Sequence, residues 1–512
     1  MPRTLKQQVR PVTFLDLFAG CGGLTLGFKQ AGLLPTVAIE KSDMAGETYF
    51  RNFHQGELSW DEFLELPLRD QLEEGLIVGD VSRFTAPADE DEQGRQAMDR
   101  LRANGVDIVV GGPPCQGFSL AGRRRRRDDR NSLPDTFLDF VEELAPKAVV
   151  IENVLGINRA FKKEGQIRPY FEELHDALRD LGKPSGGYLV QRLQLDAQHF
   201  GVPQRRSRMM LLGLRNDVAE ELGVDENNLY DGIWRSKVGF EQLKKGRNAD
   251  LEVRCDRLLP EVGSRIPGAP EQKIHTAGEA LIDLGPTGYL DDVSYDVQEF
   301  SYAKFMRGQV QDLENHKLRK HGPRVEDRFK LYRHLHTKRI PNSILSTGYV
   351  DKSDLPDEGT LSYEQDLATL VGEAVVRVEG ELEFMYKQNA TLGASSGFSA
   401  GEEETLAEAI VRLATRKHSQ TLIDPKKPSP TVLTLPDDLV HWEQPRILTV
   451  RELARLQSFP DSFVFHNKET TGGARRREEV PQYSQVGNAV PPLVAQAIGE
   501  LLNGLLRGTP EA

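Results

Sequence analysis

FLDLFAGCGGLTLGF (residues 14–28) changes character twice within a short stretch. An apolar run of strand length, FLDLF, gives way to AGCGG and then to residues with helical spacing. Gly20, Gly22 and Gly23 let the backbone turn tightly and approach a ligand closely. The helix that follows offers the free N–H groups of its first turn to an anionic or polar group. Strand, glycine turn and helix form the opening unit of many nucleotide-binding α/β sheets, those of nicotinamide enzymes included, and a packing turn can look the same.

The pattern continues outward from that stretch. Apolar runs of strand length occur at Thr13–Phe18, Thr36–Glu40, Leu76–Val81, Val106–Val110, Ala148–Ile151 and Met209–Leu214. Helical spacing appears between several of them, as at Leu24–Ala31 and Tyr170–Leu181. Alternation of this kind predicts an α/β domain with a mostly parallel sheet. From about residue 216 to residue 445 the chain is polar and irregular, and Asn389–Ala400 is small and polar enough to read as a loop. Helical signals return at Thr449–Gln457 and at Pro491–Leu506, the second opened by two prolines. The sequence contains no internal repeat.

Composition sets limits on function. The chain has 512 residues with 38% hydrophobic and 28% charged content, an ordinary globular profile for a length that favours two domains. No apolar run is long enough for a membrane span, and MPRTLKQQVRP lacks the apolar stretch of a signal peptide. Cys21, Cys115 and Cys255 are too few and too scattered for a disulfide framework or a zinc cluster, which fits a reducing cytoplasm. His334 and His336 are too close in sequence to be typical helical ligands, so no metal site is expected. A net charge of −13 taken alone argues against a nucleic-acid binder. The charge is uneven, however: Arg123, Arg124, Arg125, Arg126 and Arg127 are consecutive, and Arg475–Arg477 form a second run.

Several residues stand where an open α/β sheet binds ligands, at the C-terminal ends of its strands. Glu40 ends the second run and is placed to hold ribose hydroxyls, while Asp80 ends the third and is placed to accept from an adenine amino group. GGPPCQGFS (111–119) follows the strand VDIVV and sets Cys115 where an exposed nucleophile fits better than a packing thiol. IENV (151–154) brings Glu152 to the same side of the sheet, and QRRSR (204–208) supplies arginines able to hold a carbonyl oxygen and orient the acid. Taken singly, each also reads as something ordinary: a surface carboxylate, a packing thiol, a solvated arginine face.

Taken together and in order, FLDLFAGCGG, GGPPCQGFS, IENV, QRRSR, RELARLQSFPDSF (451–463) and QVGNAVPP (485–492) resemble the DNA cytosine-5 methyltransferase family. The resemblance covers residues 14–214 and 445–500 and leaves the middle unassigned. It implies a Rossmann-like S-adenosylmethionine-dependent methyltransferase domain of α/β class, with a smaller, mixed target-recognition domain. It implies Cys115 as nucleophile, Glu152 on N3 and the exocyclic amine of cytosine, Arg208 on O2, and Arg206 in support. For the cofactor it implies Phe18, Gly20, Gly23, Glu40, Asp80, Val81, Pro114 and Asn488. The family often carries an aromatic residue after the ribose acid, where this chain has Lys41. Ser119 and the five arginines from Arg123 match the family's catalytic loop and are expected on DNA phosphates.

The expected division is a catalytic domain of residues 1–215 completed by 481–512, with target recognition in 216–480. The expected partner is duplex DNA, together with a cognate restriction endonuclease acting on the same site without a stable complex. The expected location is the cytoplasm, on the nucleoid through DNA. One branch of the family acts on transfer RNA, and the long middle segment favours a DNA reader over it. A non-catalytic DNA binder is disfavoured by the intact Cys115, Glu152 and Arg208, and a nicotinamide oxidoreductase by PPCQ.

Overall fold

The structure, a computed structural model, describes residues 10–114, 133–158, 160–163, 166–182, 186–246, 258–285, 302–341, 343–350, 361–388, 405–415, 417 and 420–507. Cys115, Ser119, Arg123–Arg127, Cys255 and Asn389–Ala400 lie outside the described residues.

β1 (Thr13–Leu17), β2 (Leu34–Glu40), β3 (Leu76–Val78), β4 (Ile108–Gly111) and β5 (Ala148–Val154) are the strands of the first apolar runs. A small antiparallel hairpin, β6 (Ala160–Lys163) and β7 (Gln166–Pro169), is followed by β8 (Tyr188–Asp196), β9 (Ser207–Arg215) and β10 (Ile233–Arg235). Eight strands form one sheet in the order β10-β8-β9-β5-β4-β1-β2-β3. The five from β5 to β3 are parallel, β9 runs antiparallel to both β5 and β8, and β10 is parallel to β8. The α/β expectation with a mostly parallel sheet therefore holds. β8 was not read from the sequence because YLVQRLQLD breaks its apolar run with polar residues. Gln191 is buried there, accepting from the Tyr230 N–H at 2.7 Å and donating to the Tyr230 carbonyl at 3.2 Å.

β1 is buried along nearly its whole length, as a parallel strand covered on both faces must be. Leu15, Leu17, Ile39, Val109 and Val149 join Phe137 and Phe140 in the main core. The chain moves from β1 to β2 on one side, while β4 lies on the other. The C-terminal ends of β1 and β4 thus open a crevice at the point where strand order reverses.

The helix Pro492–Leu506 packs on the helix Gly23–Gln30, as its position after QVGNAVPP suggests. Two glycines permit the approach. A Cβ on Gly27 would lie 2.3 Å from the Pro492 carbonyl oxygen, and one on Gly499 would lie 2.7 Å from the Ala31 Cβ. Asn503 Nδ2 donates to the Ala31 carbonyl at 2.7 Å and fixes the register of the pair.

The chain divides into two compact units. The first comprises Met1–Asn315, Lys426–Thr434 and Val450–Ala512, and the second His316–Pro425 with Leu435–Thr449. Compactness thus divides about a hundred residues beyond the change in composition at 216, and residues 450–480 belong with the first unit. The reason is long-range and ionic. Arg455 is buried with Asp461, donating to both its oxygens at 2.9 and 2.7 Å, and also pairs with Asp283. The Tyr302 hydroxyl donates to the Arg455 carbonyl at 2.9 Å.

The second unit has its own core, in which Phe329, Tyr332 and Leu335 of the helix Pro323–Thr337 meet Ala374 and Val378 of the helix Leu361–Gln388 and Ile410 of the helix Leu406–Arg412. A two-stranded parallel sheet, β11 (Thr421–Leu422) and β12 (Leu439–Val440), completes it. Among the described residues no single helix is long and apolar enough to cross a membrane, and no cluster of His, Cys, Asp and Glu is arranged to hold a metal ion.

Candidate active site

A cavity of about 710 Å³ opens at the strand ends within the first unit. Its wall includes Phe18, Gly20, Gly23, Glu40, Asp80, Val81, Pro114, Glu152, Arg206, Arg208 and Asn488, so the sequence-predicted residues that the structure describes share one space.

The glycine turn forms the floor. Phe18 leaves β1 with φ at +59°, a strained conformation for an aromatic residue and one that places its ring against the core. Gly22 has φ at +94°, and a Cβ there would strike the Phe53 ring at 2.4 Å. A Cβ on Gly23 would lie 2.5 Å from the Val490 carbonyl oxygen, which is how the turn reaches the QVGNAVPP block.

Glu40, at the end of β2, accepts from the Gly20 N–H on one oxygen and from the Ser42 N–H on the other, both at 2.8 Å. Those bonds lock the acid in place and leave lone pairs on each oxygen for further donors. Burial pushes its carboxyl above the usual range, against the pull of those N–H groups. Asp80 accepts from the Ser82 N–H and hydroxyl on one oxygen, at 3.0 and 2.9 Å, and from the Lys41 ammonium on the other at 2.8 Å. Partial burial works against its charge, but the Lys41 and Ser82 donors hold it below the ordinary carboxylate range.

Asp16 was missed in the sequence although it is the third letter of FLDLF. It is buried in β1, lines the cavity and accepts from the Thr25 hydroxyl at 2.6 Å through one oxygen. Its other oxygen, Oδ1, is buried with no hydrogen-bond partner. Burial pushes its carboxyl up to about 7, with the Thr25 hydroxyl opposing and the Glu40 charge adding to the rise. An acid inside an apolar strand was the available signal, since a buried carboxylate is costly unless something meets it. Cys21 in the same turn is an inert thiol: it is buried, donates to the Gln485 carbonyl at 3.7 Å, and burial pushes it up to about 12.

At the opposite wall, β5 and β9 are antiparallel with Glu152 opposite Met210 and Val154 opposite Arg208. Glu152 and Arg208 are therefore diagonal neighbours on one face of the sheet. Arg208 Nε lies 2.8 Å from Glu152 Oε1, and both side chains are largely buried. Burial raises the Glu152 carboxyl, while the charges of Arg208 and then Arg206 oppose the rise. Gly112 makes room for this acid, because a Cβ there would lie 2.9 Å from Glu152 Oε2. Asn153 Nδ2 donates to the Pro113 carbonyl at 3.1 Å and ties IENV to the segment that leads into Cys115. Pro114, the last described residue before that cysteine, lines the cavity.

Arg206 has a different position from Arg208. Its Nη1 donates to the Val432 carbonyl at 2.8 Å, and its Nη2 donates to the Gly487 and Ala489 carbonyls at 2.7 and 3.1 Å. The guanidinium fixes the backbone around Asn488, reaching Glu152 through its charge. Glutamines missed in the sequence continue that stitching. Gln204 Nε2 donates to the Leu456 carbonyl and to Gln457 Oε1, both at 2.9 Å, and Gln457 Nε2 donates to the Val486 carbonyl at 2.7 Å. Gln485 Oε1 accepts from the Thr48 hydroxyl at 2.7 Å. Three of the sequence blocks are thereby tied together through satisfied, buried amides.

Comparison with known proteins identifies the family. The family model for C-5 cytosine-specific DNA methylase matches residues 12–67 and 84–503. The chain is 27% identical over 496 residues to the type II methyltransferase M.DdeI of Desulfomicrobium norvegicum, covering 96% of this chain and 88% of that protein. It is 29% identical over 505 residues to the type II methyltransferase M.AgeI of Thalassovita gelatinovora, covering 95% and 98%. It is 27% identical over 504 residues to the type II methyltransferase M.XorII of Xanthomonas oryzae pv. oryzae, covering 98% and 87%. With a match that spans most of its length, the chain belongs to the C-5 cytosine-specific DNA methylase family and is a DNA (cytosine-5-)-methyltransferase.

Proposed function

We propose that this enzyme transfers a methyl group from S-adenosylmethionine to C5 of a cytosine in a specific duplex DNA sequence, through a covalent Cys115 adduct at C6 of a flipped-out base. It serves a type II restriction–modification system, alongside an endonuclease that cuts the same site, or acts as a solitary DNA methylase. The observation that carries the reading is the Glu152–Arg208 pair in a cavity whose wall includes Pro114, the residue before Cys115 in the sequence.

The residues fit an adenosyl amino-acid cofactor. Glu40 keeps lone pairs for ribose hydroxyls, Asp80 would accept from the adenine amine, and the orphan oxygen of Asp16 suits an ammonium. The first-turn N–H groups of the helix Gly23–Gln30 suit a carboxylate. When bound, the cofactor supplies an electrophilic sulfonium methyl.

The Cys115 thiolate adds to C6 as Glu152 donates to N3 and Arg208 holds O2. The hydrogen bond at N3 stabilises the negative charge that the thiolate brings into the ring, and C5 becomes nucleophilic enough to take the methyl, whose bond to sulfur would break with its electron pair left on sulfur. Loss of the C5 proton and departure of the Cys115 thiolate then restore the aromatic ring as 5-methylcytosine. A base inside the stack cannot reach such a cavity, so it leaves the duplex. In this reading residues 216–480 select the target, while residues 1–215 with 481–512 carry the chemistry.

A duplex with 5-fluorocytosine at the target position tests the proposal, because fluorine at C5 cannot leave as a proton does. The wild-type protein should be trapped as a denaturation-resistant complex, and Cys115→Ala should not be. Recovery of free wild-type protein after methyl transfer to that duplex would overturn the covalent route.

A further inference from the structure

The cavity's nucleoside end holds an ion pair that the family resemblance does not anticipate. Lys41 follows the ribose acid Glu40 in sequence, and its ammonium lies 2.8 Å from Asp80 Oδ2. The contact joins the residue after β2 to the second residue after β3, and both partners line the cavity. Asp80 is heavily engaged as a result. Its Oδ1 already accepts twice from Ser82, so an incoming amine is left with Oδ2, where the Lys41 ammonium already takes one of the two acceptor directions.

We propose that the Lys41–Asp80 pair is a strap across the adenosine end of the cavity that competes with the cofactor for Asp80, so that Lys41 weakens cofactor binding. The proposal rests on the S-adenosylmethionine reading above. An ammonium and an exocyclic amine are both donors to Oδ2, and the ammonium both occupies one acceptor direction and neutralises the charge that would draw the amine. Lys41 is largely exposed, with a side-chain accessibility of 77%, so the ammonium is free to swing into water once displaced. The cost is modest because an exposed pair of this kind is weak. The methyl donor and its demethylated product share the same adenosine, so the strap loosens both by the same factor and speeds departure of the spent cofactor.

Calorimetric binding to the full-length enzyme tests this with S-adenosylmethionine, S-adenosylhomocysteine and adenosine as probes. Lys41→Met keeps the stem and removes the charge. It should tighten all three ligands by a common factor of about two to five, the range open to an exposed ion pair. Adenosine carries no charge, so its affinity for the wild type should rise as salt screens the strap, whereas its affinity for Lys41→Met should stay flat. In an Asp80→Asn background Lys41→Met should give no gain, because no strap remains to be removed. Weaker or unchanged binding by Lys41→Met, or a gain confined to the two amino-acid-bearing ligands, would overturn the strap while leaving the cofactor site standing. If no adenosyl ligand binds the wild type at all, the cofactor reading fails and takes the strap with it.

Discussion

Glu40 closes β2 and Glu152 lies near the end of β5, and burial raises both carboxyls, yet their partners differ in kind. Two backbone N–H groups hold Glu40, one from the glycine turn and one from the loop after β2. A guanidinium holds Glu152, with a second guanidinium acting through its charge. Backbone donors are neutral and fixed, so they set an acceptor in place without spending its charge, which suits an acid that binds hydroxyls. An arginine balances the charge of a carboxyl whose proton affinity is already raised, which suits an acid that acts on a reacting ring. One sheet thus presents two buried acids held in different ways, which under the proposed function would be a binding acid at β2 and a chemical acid at β5.

The sharpest way to break that comparison is Glu152→Gln. Turnover should fall by roughly 10²–10⁴, the usual range for acid–base assistance, while calorimetric cofactor affinity stays within experimental scatter. A loss confined to cofactor binding would move Glu152 into the other class. Arg208→Lys should also lower turnover, because a point charge does not reproduce the guanidinium's planar set of donors.

The reciprocal change is Glu40→Ala. It removes the acceptor for ribose hydroxyls and frees the Gly20 and Ser42 N–H groups. S-adenosylmethionine affinity should fall by about ten- to a hundredfold, the range for hydrogen bonds to a charged group. Turnover at saturating cofactor should remain within a few fold of wild type. Unchanged affinity would show that the ribose is held elsewhere.

A third test sets the acid-lined cavity against the basic run Arg123–Arg127. A chain of net charge −13 needs a concentrated positive element to hold a polyanion, and consecutive residues cannot all reach one base edge. Replacing Arg124 and Arg125 by alanine should weaken matched and mismatched duplexes alike. The salt dependence of binding should flatten by about one unit of slope per lost phosphate contact. An unchanged slope would make the run a solvated turn, and a shifted target sequence would mean that it reads bases.

What could be read in advance follows the range of the interaction. That Glu40, Glu152 and Arg208 would meet at one cavity was legible because each stands at or near an end of a strand with an apolar run, and strand ends are where such sheets bind. Arg206 was legible as a site residue, but its carbonyl partners Val432, Gly487 and Ala489 lie more than two hundred residues away, and no local pattern announces them. The unit boundary was hidden for the same reason, since Asp283 and Arg455 meet only in the folded chain. β8 was hidden by its polar residues, among them Gln191, whose partner Tyr230 is also remote. Gln204, Gln457 and Gln485 stood inside the quoted blocks without being singled out, because an amide looks alike whether it is buried and satisfied or exposed.

Asp16 falls between the two classes of acid, and it yields the smallest and most discriminating effect. Its folded-state carboxyl is pushed up to about 7, above an unfolded value near 3.9. Between those values the folded protein binds the extra proton. The stabilising contribution is therefore complete below the unfolded value and is lost as pH rises through about 7. Asp16→Asn should remove that slope, so the Tm of the cofactor-free variant should fall less than that of wild type between pH 4 and pH 8. If the ammonium of the cofactor meets the orphan Oδ1, it favours the ionised carboxylate, and binding just below pH 7 must expel a fraction of a proton. The wild-type binding enthalpy at pH 6.5 should then vary with the ionisation heat of the buffer, and that of Asp16→Asn should not. Buffer-independent enthalpy for both proteins would place the ammonium away from Asp16, and would leave its buried oxygen as a cost of the fold with no ligand to meet it.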